Sequence, residues 1–78
     1  MHELIAGIGR LHTTPMGAER IRRNLALNVD DAVQWCAQRI TSRDAQIECR
    51  GKNWYVAADG CVITVNAHSF TIITAHRI

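Results

Sequence analysis

Histidine and cysteine side chains are the residues of this chain best suited to do chemistry. The 78 residues include four histidines and three cysteines, and both residue types are the usual ligands of zinc. We predict that Cys61 and His76 lie diagonally across one hairpin, on the same face of a sheet. Cys36 would point toward that face from a helix, and His12 lies at the entrance of another helix. The pattern therefore predicts a tetrahedral zinc site formed by His12, Cys36, Cys61 and His76.

A simpler interpretation of the same four residues stays open. Free cysteine is among the most often buried small side chains, so Cys36 and Cys61 can be structural thiols. His12 and His76 would then be surface imidazoles. The three cysteines have spacings that match no secreted disulfide framework, which predicts the reducing environment of the cytoplasm.

Arginine and aromatic side chains form a second set of candidates, for contact with a partner. Arg20, Arg22 and Arg23 are the most basic stretch of the chain and can bind phosphates or an acidic protein surface. Trp35 and Tyr55 belong to the residue types that dominate protein interfaces. Each has a structural alternative, because arginines often line the wet side of a helix and aromatic rings often shield a small core. The formal net charge of +2 is too small to predict nucleic-acid binding.

Several classes of function lack their sequence signatures. The chain has no Walker loop, dinucleotide fingerprint, paired CxxC or recognisable Ser/His/Asp arrangement. Its hydrophobic content of 47% and charged content of 21% are typical of a globular chain, and no stretch resembles a transmembrane helix. The apolar stretch near the start carries Glu3 and lacks a basic leader and a cleavage site, so we do not expect export. We predict one domain over residues 1–78, located in the cytoplasm.

Helices that would position these side chains are predicted over about residues 2–41. The first, 2–11, has apolar residues at helical spacing and is weakened by two glycines. The second, 15–25, follows a threonine that can cap it and has a proline in its first turn. The third has Asn28 or Asp30 as its predicted cap.

Strands are predicted over the rest of the chain, about residues 46–77. Their predicted bounds are 46–50, 53–58, 61–66 and 69–76, joined by two-residue loops. Counting across the loops predicts these opposed pairs: Cys49 with Trp54, Trp54 with Val65, Val65 with Phe70, Val56 with Ile63, Ile63 with Ile72, Ala58 with Cys61, and Cys61 with Thr74.

In this register, one face of the sheet collects the large apolar side chains. We expect the helices to cover this face and Cys49 to be a core residue beside Trp54. The face includes Ile47, Cys49, Trp54, Val56, Cys61, Ile63, Val65, Phe70 and Ile72. The opposite face carries a polar row of Glu48, Tyr55, Thr64 and Thr71, and a second of Asn53, Asn66 and Ser69. The predicted fold is α+β, with two or three N-terminal helices packed on one face of a four-stranded antiparallel meander.

Three segments of the chain resemble a known family: LHTTPMGAERIRRNL at 11–25, KNWYV at 52–56, and ITVNAHSFTIITAH at 63–76. Together they are similar to the small bacterial family known as domain of unknown function 3781, over nearly the whole chain. The resemblance implies no activity and assigns no role to any residue. Families of this size are common on phages and mobile elements, whose small products include inhibitors of host defences.

Two functions are compatible with these observations. The first is a non-enzymatic inhibitor of the anti-CRISPR type, which binds a CRISPR effector nuclease of the host. It would contact the nuclease through its arginine and aromatic side chains, and zinc would stabilise its fold. The second is a ribonuclease, because the predicted architecture is similar to the barnase, colicin and RelE-like toxins. It would use His12 or His76 as general base and an arginine to stabilise the phosphate. We favour the inhibitor, since the open face of the sheet offers no assured acid–base pair.

Overall fold

Helices and strands follow one another along the chain in a computed structural model that describes residues 2–78. The α-helices are α1 (Glu3–Ala6), α2 (Pro15–Leu25) and α3 (Ala32–Ile40), with a 3-10 turn at Ile8–Arg10 between the first two. The strands are β1 (Gln46–Arg50), β2 (Asn53–Ala58), β3 (Cys61–Asn66) and β4 (Ile72–Arg77). They pair antiparallel in the order β1-β2-β3-β4. The predicted α+β fold is confirmed.

The first helix is shorter than predicted, because the chain breaks at Gly7. A Cβ atom at this position would lie 2.8 Å from the ring of Phe70, which no ordinary Cβ contact allows. Only glycine lets the backbone come this close to the ring. The ring therefore packs against the point where α1 ends and the 3-10 turn begins.

The second and third helices begin at side-chain caps. Thr14 accepts a hydrogen bond from the Gly17 N–H at 3.0 Å, and Pro15 is the first residue of α2, as predicted. In α3 the cap is Asp31, which accepts from the Gln34 N–H at 2.9 Å. The prediction of Asn28 or Asp30 as this cap is therefore wrong, because α3 begins later in the chain.

The fourth strand departs from the prediction. The bounds of the first three strands and their register are as predicted, but β4 begins at Ile72. Val65 pairs with Ile72 instead of Phe70, and Cys61 pairs with Arg77 instead of Thr74. A further irregularity between Thr64 and Val65 shifts the register again.

The late start of β4 is caused by a loop between β3 and β4 that is longer than the two residues predicted. The Asn66 side-chain oxygen accepts hydrogen bonds from the backbone N–H groups of His68 at 3.0 Å and Ser69 at 2.9 Å. Phe70 then adopts a φ of 62°, which is rare for a bulky side chain. An asparagine that bonds its own following backbone replaces the simple hairpin turn.

The core lies between the helices and one face of the sheet. Trp54 and Phe70 are both buried and meet edge to face, with ring centroids 5.2 Å apart. The helices contribute Leu4, Ile21, Leu25, Ala32, Cys36 and Ile40 to the same cluster. Cys49 is exposed, so its assignment to the core is wrong. It pairs with Trp54 but belongs to β1 at the margin of the sheet.

The opposite face of the sheet is open. Its central row runs from Glu48 through Tyr55 and Thr64 to Thr74. The prediction placed Thr71 in this row, and the shifted register explains the difference. We refer to this side as the open face.

Candidate functional site

The cysteines predicted as metal ligands both lie in the hydrophobic core. Cys36 comes from α3 and Cys61 begins β3, and both are almost fully buried. The Cys61 thiol donates a hydrogen bond to the Ala58 carbonyl oxygen at 3.0 Å. Burial, together with the nearby Cys61 thiol, raises the pKa of Cys36 to about 12. Burial, with Asp59 nearby, also raises the pKa of Cys61, so both thiols are protonated at neutral pH.

The histidines of the predicted zinc site lie elsewhere. His76 pairs with Val62, the residue after Cys61, so its side chain is on the open face and the prediction of a shared face is wrong. His12 is exposed and lies beside Thr71, about 17 Å from His76 at roughly 3.3 Å per strand residue. Among residues 2–78, no group of three or more His, Cys, Asp or Glu side chains is arranged to hold a metal ion. The structure therefore does not bring the four predicted ligands together.

The three arginines predicted to bind a partner are engaged in different ways. Arg22 folds back and donates a hydrogen bond to the Asp30 carbonyl oxygen at 3.1 Å. Arg23 pairs with Glu19 at 3.7 Å, and both of these side chains are exposed. Arg20 forms no ion pair within residues 2–78. Of the cluster, Arg20 is therefore the side chain most available to an acidic partner.

The predicted aromatic anchors lie on separate surfaces. Trp35 on α3 is partly buried against the core and is covered by the Arg39 guanidinium, 4.8 Å from the ring centroid. Tyr55 lies on the open face, where the Arg50 guanidinium is 4.3 Å from its ring centroid. The first ring therefore lies on a helix, and the second lies on the face of the sheet opposite the core.

A groove runs between α2 and β4, and we refer to it as the α2–β4 groove. It has a volume of about 320 Å³ and is lined by Thr13, Thr14, Met16, Gly17, Arg20, Thr71, Ile72 and Ile73. Met16 is 74% exposed and Ile73 is 44% exposed. Sequence analysis missed both residues. The period of α2 predicts an exposed Met16, but no local signal places Ile73 beside it.

His12 belongs to a chain of hydrogen bonds at the end of this groove, which we refer to as the His12 network. The His12 Nδ1 atom is 2.8 Å from the Arg10 carbonyl oxygen. A carbonyl only accepts, so Nδ1 carries a proton. Nε2 lies 3.0 Å from the Thr71 hydroxyl, from which it accepts when the ring is neutral and to which it donates when the ring is charged. The Ser69 hydroxyl is 2.7 Å from that of Thr71.

This arrangement can move a proton from a hydroxyl group to an imidazole. It joins residues 59 positions apart in the chain, so sequence spacing gave no signal for it. The connection depends on a parallel bridge between His12 and Thr71, in which the His12 N–H donates to the Phe70 carbonyl oxygen at 3.1 Å. The network contains no carboxylate and no second imidazole among the described residues.

Comparison with known families identifies the chain at the level of a family. A family model described as Protein of unknown function (DUF3781) matches residues 5–76. The chain belongs to this family. No curated protein and no solved structure gave a significant match.

The family match covers both halves of the domain. It includes α2, the β3–β4 loop and Thr71, so the α2–β4 groove and the His12 network both lie within the family domain. Within residues 2–78, no helix is long and apolar enough to cross a membrane.

Proposed function

We propose that this DUF3781 protein is a non-enzymatic inhibitor that binds a larger host protein through the α2–β4 groove. The observation that carries the proposal is the exposure of Met16 and Ile73 in a groove that also contains Arg20, which has no ion pair within residues 2–78. Met and Arg are enriched at protein interfaces, and arginine is frequent among the residues that dominate binding. Threonine hydroxyls around the groove supply a polar rim.

The charge of the groove indicates the chemistry of the partner surface. Arg20 is positive, and the other side chains that line the groove carry no charge. An acidic side chain on the partner would pair with Arg20, while an apolar side chain would enter between Met16 and Ile73. Such complementarity favours binding of an acidic protein surface and disfavours a basic one.

The partner that we propose is a CRISPR effector nuclease of the host, which also implies action in the cytoplasm. This choice rests on the association of small single-domain families with phages and mobile elements. The nucleic-acid channel of such a nuclease is positively charged. We therefore expect the groove to bind an acidic surface outside that channel.

Plasmid interference in a bacterium with an active CRISPR–Cas system tests the proposal. Expression of the protein should restore transformation by a targeted plasmid without slowing growth. Arg20→Glu should abolish this protection, because it would place a carboxylate against an acidic surface. Arg23→Glu is the matched control, since it makes the same charge change outside the groove and should keep protection. Unchanged interference with the folded wild-type protein would contradict the proposed partner.

A ribonuclease is the second candidate, and the His12 network favours it. A neutral imidazole that accepts from a hydroxyl is arranged as a general base. Among residues 2–78, no hydrogen bond joins His76 to the His12 network. RNA cleavage by the purified protein that disappears in a folded His12→Ala variant would support this candidate. Growth arrest on expression would point in the same direction.

A further inference from the structure

The outer edge of β1 is open. β1 is the last strand of the sheet and pairs with β2 alone. Within residues 2–78, its backbone makes no hydrogen bond to any element other than β2. Four of its five side chains are exposed, including Glu48, Cys49 and Arg50. An edge of this kind can accept another strand through its free N–H and C=O groups.

Two of the usual devices that block an edge strand, a proline and a β-bulge, are missing from β1. The strand contains no proline, and its register with β2 is continuous from Gln46 to Arg50. Its two charged side chains have opposite signs and lie on the same face, 3.5 Å apart. A run of like charges would repel a second copy of β1. Opposite charges do not, because in an antiparallel pair the negative side chain of each copy can lie opposite the positive side chain of the other.

We propose that β1 pairs antiparallel with β1 of a second copy of this chain, about a twofold axis at Cys49. The two four-stranded sheets would then form one continuous sheet. This register places Glu48 of each copy opposite Arg50 of the other, so two ion pairs flank the axis. Because the symmetry repeats each contact, one favourable pair of side chains contributes twice.

The backbone direction of β1 agrees with this register. Gly51 and Lys52 form a two-residue loop, and Arg50 and Asn53 are the pair that closes it. In such a hairpin the closing pair exchanges both hydrogen bonds. The bonding direction alternates along a strand, so Cys49 directs its N–H and C=O outward. Two opposed Cys49 residues would therefore form a hydrogen-bonded pair across the axis.

Other registers are less favourable or have different consequences. A twofold axis at Glu48 would place two carboxylates opposite each other, which is destabilising. An axis at Ile47 would pair Gln46 with Glu48 and move the two Cys49 residues apart. Only the axis at Cys49 brings the two thiols to a Cα separation of about 5.5 Å, which lies within the range that a disulfide accepts.

Sedimentation velocity across a concentration series tests the dimer through charge reversal. The wild type should form a concentration-dependent dimer. Glu48→Arg and Arg50→Glu should each shift the protein to monomer, because like charges would then face each other. The double variant should restore the dimer. Arg23→Glu, on the distant exposed side of α2, is the control and should leave it unchanged.

Disulfide cross-linking tests the register. Mild oxidation with diamide, which takes up the two electrons and two protons released by the thiols, should give a covalent dimer on a non-reducing gel. Cys49→Ser should prevent cross-linking, because the other two cysteines, Cys36 and Cys61, are buried. The same variant should still form the dimer in sedimentation. A monomer at all concentrations, a dimer unaffected by Arg50→Glu, or a dimer that does not cross-link through Cys49 would each overturn the proposal.

Discussion

The two edges of the sheet differ in their contacts with the N-terminal part of the chain. The β4 edge is covered: Ile72 donates its N–H to the His12 carbonyl oxygen at 2.8 Å and accepts from the Thr13 hydroxyl at 3.0 Å. Further along, the Asn24 amide donates to the Ala75 carbonyl oxygen at 3.2 Å. The β1 edge has no such cover among residues 2–78.

The difference shows where the N-terminal helices contribute their stability. Helix α2 packs along β4, and the Arg77 guanidinium reaches back to the Leu25 carbonyl oxygen at 2.6 Å. Helix α2 and strand β4, which are far apart in sequence, are therefore joined by both apolar packing and hydrogen bonds. Strand β1 contributes only the partly buried Ile47 to the core. We therefore expect substitutions of its exposed residues to change stability little, and its outer edge is free to bind another strand.

An aspartate introduced on β4 should destabilise the protein far more than an aspartate introduced on β1, and this is the largest difference in stability that we expect. Ala75→Asp would bury a carboxylate without a partner, and we expect a loss of several kcal/mol, enough to unfold a domain of this size. Cys49→Asp lies at an exposed position, and we expect a loss below about 1 kcal/mol. Urea denaturation followed by circular dichroism, at a concentration where the protein is monomeric, measures both.

Alkaline pH should destabilise the protein through the buried thiols. Burial raises the pKa of Cys36 from its ordinary 9.0 to about 12. Between these values the unfolded chain has lost the proton that the folded chain still holds. The free energy of unfolding is therefore unaffected below about pH 9 and falls as the pH rises toward about 12, by a few kcal/mol.

Variants separate this effect from other groups that titrate at high pH. Cys36→Ala should reduce the dependence of the urea midpoint on pH over this window. Cys49→Ala, at the exposed edge, should leave the dependence as in the wild type. Equal pH dependence in all three proteins would show that the Cys36 thiol does not control it.

Removing one hydrogen bond from the covered edge should have a moderate effect. In Asn24→Ala the Ala75 carbonyl oxygen loses its side-chain donor, and we expect a loss of about 1 kcal/mol. Asn28→Ala is a matched control at an exposed position outside the helices. Thermal unfolding of the two variants should differ, and identical melting temperatures would mean that the Asn24 contact adds no stability.

The smallest effect is expected for His76→Ala. The ring is exposed on the open face and is separated from both buried cysteines, so the melting temperature should change by less than the equivalent of about 0.5 kcal/mol. Any zinc that purified protein carries, measured by elemental analysis, should also be the same in this variant. A loss of zinc together with a lower melting temperature would restore His76 as a ligand.

Local patterns were sufficient for most of the fold. Helix α2 and the first three strands have the predicted bounds, because caps, prolines and two-residue turns act over a few residues. Hydrophobic alternation also placed Trp54 and Phe70 on one face correctly. Two local features caused the error in β4. The loop in which Asn66 bonds to the residues that follow it moves the register by two residues, which alone would have kept His76 on the face of Cys61. The irregularity between Thr64 and Val65 adds one more residue, and this step moves His76 to the other face and away from the predicted zinc site.

The α+β class, the family and most of the apolar residues of the core can be predicted from the sequence. They depend on periodicity and on motifs, which are properties of neighbouring residues. The meeting of particular polar groups cannot be predicted in this way. The contact of His12 with Thr71, the exposure of Ile73 beside Met16, and the cover of one sheet edge but not the other all depend on contacts between distant segments. The register and helix packing that create such contacts are set by the burial of the whole core, and no local pattern specifies them.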